Sequence, residues 1–168
     1  MLISNEWLKD YVNVDQSVQA LAERITRTGI EVDDIIDYTK DIKKLVVGHV
    51  LSKTPHPDAD KLNICQVDLG EEEPVQIVCG APNVDEGQHV IVAKVGGRLP
   101  GGIKIKRAKL RGERSEGMIC SLQEIGISSH VTPKNYESGI YVFPEAVKPG
   151  TDALEALYLN DQVMEFDL

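Results

Sequence analysis

The sequence is poor in the residues that staple, anchor or stack. Its three cysteines, Cys65, Cys79 and Cys120, are odd in number and widely spaced. That pattern fits neither a disulfide framework nor paired zinc ligands. Each follows a β-branched apolar residue, so they are expected to be reduced, buried thiols. Aromatics are scarce: one Trp, five Tyr and two Phe in 168 residues. A surface that reads single strands by stacking successive bases is therefore disfavoured against one that reads the shape of a folded RNA. No run of about 18 apolar residues occurs, so no membrane span is expected. The opening MLISNEWLKDYV lacks the basic start and apolar stretch of a signal peptide, which places the expected location in the cytoplasm. Internal repeats and low-complexity tracts are absent.

Catalytic and metal motifs are missing as well. There is no GxSxG elbow and no HExxH pair. His49, His56, His89 and His130 lack ligand spacing and are expected at the surface or in turns. The run Gly96-Gly97-Arg98-Leu99-Pro100-Gly101-Gly102 matches neither GxGxxG nor GxxxxGK[ST] and precedes no helix. It is expected to be a wide turn between strands. No nucleophile, base and orienting group can be assembled. The chain is thus expected to be no enzyme by itself, with no cofactor and no metal site.

What is present is an uneven charge. The net charge is −9, yet residues 103–114 carry Lys104, Lys106, Arg107, Lys109, Arg111 and Arg114 against one acid, Glu113. That segment is +5 and the remainder −14. A polyanion is expected to meet this chain on one local patch.

Periodicity divides the chain. Residues 1–39 predict helices, one capped by Ser4 and one by Asp15. The second carries Val18, Leu21, Ala22 and Ile25 at helical spacing and stops at Gly29. Ile30 to Ile36 are expected to be extended. From 40 to 150, short β-branched runs alternate with Pro, Gly, Asn and Asp, the pattern of a small barrel or sandwich. In Ile103-Lys104-Ile105-Lys106 both isoleucines are expected to face the core, with a bulge near Arg107. Residues 151–168 resume a helix capped by Thr151 or Asp152, then end in Val163–Leu168, expected to be an unpaired edge strand. The chain is expected to be a piece of something longer.

Three segments carry two readings each. His56-Pro57-Asp58-Ala59-Asp60-Lys61 is either a turn capped by its aspartates or a mount for Lys61 as a phosphate or base contact, and the turn is favoured. Lys104 to Arg111 is either an edge strand protected by lysines or a phosphate track. In Arg111-Gly112-Glu113-Arg114-Ser115-Glu116-Gly117-Met118-Ile119-Cys120-Ser121, the glycines, Ser115 and Met118 either close a barrel or approach a ligand.

Taken in order, HPDADKLNICQVDLG, IVCGAPNV, VAKVGGRLPGGIKIKRAKLRGERSEGMICS and GIYVFPEAVKPG resemble the tRNA-binding domain shared by several synthetase-associated proteins, an OB-fold barrel. The flanks MLISNEWLKDYV and TGIEVDDI resemble the N-terminal region of bacterial phenylalanyl-tRNA synthetase β subunits. The resemblance implies an α+β chain: a five-stranded OB barrel over 40–150, inserted into a small discontinuous α/β domain formed by 1–39 and 151–168. It also implies a parent α2β2 ligase that attaches phenylalanine to tRNA with ATP and Mg²⁺, with its catalytic centre in the α subunit. The partners implied are tRNA, that α subunit and a second β subunit. The tRNA-contact candidates are Lys61, Lys104, Lys106, Lys109, Arg111, Ser115 and Met118. A non-catalytic tRNA-binding module is the first functional reading, and a structural or assembly module without RNA binding is the alternative.

Overall fold

The computed structural model describes residues 1–37, 41–130, 132–136, 138–159 and 162–167. The expected boundary between residues 39 and 40, and the terminal Leu168, lie outside them. In chain order the strands are β1 (Leu2–Ser4), β2 (Glu31–Asp37), β3 (Lys43–His56), β4 (Ala59–Asp68), β5 (Val75–Cys79), β6 (His89–Leu99), β7 (Ile103–Lys104), β8 (Ala108–Leu110), β9 (Glu113–Ser115), β10 (Met118–Ile119) and β11 (Gln162–Asp167). The helices are α1 (Asn5–Lys9), α2 (Val18–Arg27) and α3 (Ala153–Ala156). The chain is mostly β-sheet with few helices. It divides into two compact units, Met1–Lys40 with Leu157–Leu168, and Asp41–Ala156.

In the first unit, α1 is capped by Ser4, whose Oγ accepts from Trp7 N. The cap of α2 is Ser17, not Asp15: Ser17 Oγ accepts from Ala20 N at 3.2 Å, and Asp15 lies too early for a helix that begins at Val18. Gly29, at φ 101°, takes the left-handed position just beyond the last turn. The sheet runs β1-β11-β2, all antiparallel. The last strand is therefore central, paired on both sides, and not the expected edge. Its Met164 and Phe166 are buried with Val18 and Ala22 of α2, and Leu21 and Ile25 pack against them. One face of α2 thus covers one face of the sheet.

In the second unit the hydrogen-bonded row is β10-β6-β3-β4-β5, with β7 added to β6, and β8-β9 form a separate hairpin. Six strands make the main sheet, and among the described residues no ladder closes the row from β5 back to β10. The two ends are linked by single bonds instead. Glu116 N donates to Gln76 O at 2.8 Å, and Val78 N donates to Ser115 Oγ at 3.1 Å. Val50, Cys65, Val67, Ile77, Val90 and Val92 form the centre of the core, all with no exposed surface. Such β-branched residues fit a pleated, covered surface. Helix α3 is short and capped by Asp152, whose Oδ1 accepts from Glu155 N.

The stretch Ile103–Arg111 is not one bulged strand. It is parted into β7, which pairs with β6, and β8, which pairs with β9. The alternation fails with it: Ile105 is 7% exposed but Ile103 is 54% exposed. With β7 only two residues long and at the rim, one face has nothing to cover Ile103.

Candidate nucleic-acid interface

The glycine-rich run closes a hairpin between β6 and β7. Leu99 stands opposite Ile103, and Gly101 and Gly102 both take positive φ in the turn. The next hairpin is tighter. Leu110 stands opposite Glu113, so only Arg111 and Gly112 connect β8 to β9, at φ 50° and 89°. Two consecutive positive φ values define the turn whose twist suits a two-residue hairpin, normally Asn-Gly. Here an exposed arginine occupies the first position.

The β8-β9 hairpin is fastened to the rest of the second unit by side-chain hydrogen bonds. His56, which is buried, accepts from Asp58 N at Nδ1 (2.9 Å), so Nε2 is the donor to Leu110 O at 2.8 Å. The turn 57–58 is thus held by the histidine expected at the surface, with its ring capping the loop where aspartate was expected to do so. Gln76 Nε2 donates to Arg114 O at 2.8 Å. Ser115 is buried, accepts from Val78 N and donates to Gly117 O at 3.1 Å. Its hydroxyl is engaged within the fold, and the residue lines the same groove as Lys104, Lys106 and Met118. Gly117 has a packing reason of its own: a Cβ there would come within 2.9 Å of Ala93 O.

The cations sort by partner. Arg107 and Arg114 share Glu116, at 3.7 and 4.0 Å. Among the described residues, Lys61, Lys104, Lys106, Lys109 and Arg111 have no carboxylate within ion-pairing distance, and all five are exposed. Lys104 and Lys106 line an open groove of about 880 Å³, together with Ile103, Leu110, Met118 and Glu124. Met118 is partly buried there, an adaptable apolar wall. Lys61, Lys109 and Arg111 lie outside the groove lining. Local spacing shows nothing of His56 or Gln76 as supports, because their partners lie 54 and 38 residues away in the chain.

Burial pushes the thiol of Cys65 up to about 11 and that of Cys120 up to about 12, and raises Cys79 too. They are packing residues, protonated at neutral pH. Among the described residues no three His, Cys, Asp or Glu side chains gather as a metal site, and no helix is long and apolar enough to cross a membrane.

Residues 45–152 match the family described as "Putative tRNA binding domain". Over all 168 residues the chain is 99% identical to the phenylalanine–tRNA ligase beta subunit of Staphylococcus epidermidis strain RP62A, and 84% identical to that of Staphylococcus aureus strain USA300. It spans 21% of the length of each. A solved MetRS related protein from Pyrococcus horikoshii aligns at 23% identity and TM-score 0.44, covering 64% of this chain and 85% of that one.

Proposed function

Because the chain belongs to the tRNA-binding domain family, we propose that it is a non-catalytic tRNA-binding module serving a phenylalanine–tRNA ligase β subunit. In that parent the α subunit, with ATP and Mg²⁺, attaches phenylalanine to tRNA, and the assembly is α2β2 and cytoplasmic. Residues 40–150 act as an OB-type barrel, and 1–39 with 151–168 as the two halves of the domain that carries it. The bonds from Glu116 and Ser115 to β5 support the barrel reading, since they draw the two ends of the strand row together.

One observation carries the RNA reading. Within residues 103–114, inside the segment that matches the family, Lys104, Lys106, Lys109 and Arg111 have no acidic partner among the described residues, and Lys104 and Lys106 rim a groove with an apolar wall. Unpaired cations on one edge release counterions when they meet phosphates. Lys61, Ser115 and Met118 complete the contact set. Affinity is expected to be weak and to fall with salt, because the rest of the surface is acidic.

A second reading has its own observation. Trp7 and Tyr11 are 54% and 71% exposed, with ring centroids 4.9 Å apart, beside exposed Leu2 and Val12. Such an apolar patch suits docking to other parts of an assembly.

The test is fluorescence anisotropy of labelled tRNA at low and near-physiological salt, beside the Lys106→Ala, Lys109→Ala, Arg111→Ala triple variant. Salt-sensitive binding that the variant loses is the expected result. No binding even at low salt sinks the RNA reading and leaves assembly.

A further inference from the structure

The basic rim continues where the sequence does not show it. Lys43 in β3 stands opposite Arg98 in β6, and Arg98 stands opposite Lys104 in β7. Residues directly opposed across strands lie on one face of a sheet. With strands about 4.8 Å apart, the three cations form a row roughly 10 Å long. All are exposed, and among the described residues none has a carboxylate within ion-pairing distance. Like charges directly opposed destabilise a sheet. An acid at the middle position would remove the repulsion, and this chain has 27 acids against 18 basic residues.

Lys44 adds a second unfavourable choice at the same place. It bulges between Lys43 and Leu45, at φ 56°, a left-handed conformation that strains a non-glycine residue. Its side chain lies over Gly96, where a Cβ would sit 3.1 Å from Nζ. Repulsion and backbone strain coincide on an exposed surface, where the Lys44 side chain lies over Gly96 and Gly97. That combination marks a site whose partner supplies the missing charge.

We propose that Lys43, Lys44, Arg98 and Lys104 form a seat for consecutive phosphates of the tRNA backbone. The proposal rests on the tRNA-binding reading and deepens it. Lys104 joins the seat to the groove, so the strand ends hold backbone while the groove wall faces the nucleotide. Each phosphate seated contributes about 0.7–0.9 to the slope of log affinity against log salt.

The test compares the chain with a Lys43→Gln, Arg98→Gln variant, which leaves the groove rim and the β8-β9 hairpin intact. The readouts are the salt slope for tRNA and the melting temperature with and without inorganic tripolyphosphate. A slope smaller by about 1.4–1.8, an unchanged or higher melting temperature and a lost tripolyphosphate shift are expected. A second variant, Lys44→Gly, should melt higher and lose about one unit of slope. tRNA binding with an unchanged slope in both variants overturns the seat. If the chain itself binds no tRNA at low salt, the RNA occupant falls with the reading above. The tripolyphosphate shift then decides the anion seat alone: no shift, or an equal one in the variant, overturns it.

Discussion

Strand β6 and the β8-β9 hairpin lie in the same unit and are built in opposite ways. In β6, Val90, Ile91, Val92 and Ala93 have no exposed surface in succession, and the strand pairs with β3, β7 and β10. In the hairpin every residue from Ala108 to Gly112 is exposed, and among the described residues its only ladder is with itself. The first is held by burial on both faces. The second is held by a few directed hydrogen bonds from His56, Gln76 and Ser115. Stability and the proposed contact surface therefore rest on different residues, and variants can separate them.

The strongest challenge to that separation is a core truncation. Ile91→Ala is expected to cost about 2–5 kcal/mol in urea unfolding, since the residue is fully buried. At temperatures where the variant remains folded, its tRNA affinity should be unchanged. Lost affinity in a folded variant would break the comparison. His56→Ala sharpens it from the other side. It removes the donor to Leu110 O and the acceptor for Asp58 N. The expected cost is about 1–3 kcal/mol, with hydrogen exchange rising first at the hairpin amides. Uniform exchange across β6 and the hairpin would show that the two are one cooperative element.

The smallest effect expected is a pH dependence at His89, the first residue of β6. His89 stacks on His49, with centroids 4.4 Å apart. Burial, and then the second imidazole, hold His89 below its ordinary value. The unfolded chain then takes up the proton first as pH falls. This contribution to stability is complete above about pH 6.5 and declines below it. The difference in urea midpoint between the chain and His89→Gln should narrow on going from pH 8 to pH 5.5. A gap that stays constant would remove His89 as the source.

The same contrast explains what could be foreseen. Runs such as LNICQV and HVIVAKV announce β4 and β6 because burial leaves a local mark in β-branched residues. Ser4 as a cap was legible because its partner is three residues away. Four unpaired cations were legible because they cluster in one segment. The supports were not, since a hydrogen bond from His56 to Leu110 leaves no trace in spacing. Nor was the row from Lys43 to Arg98, which exists only through strand register. The parting of β7 from β8 was hidden because Ile103 and Ile105 look alike in sequence and differ only in what covers them. For the same reason β11 looked like an edge: its two neighbours, β1 and β2, lie at the other end of the chain.

That central position of β11 has a consequence during synthesis. About 125 residues separate Asp37 from its partner Gln162. At roughly 5–20 residues per second, β1 and β2 wait on the order of ten seconds for the strand that belongs between them. In a truncated, released chain ending at residue 156, limited proteolysis is expected to cut within 1–40 and to spare 41–156. Equal protection of both would contradict this order. Of the two units, the one that holds β1 and β2 thus closes only after the other has been made.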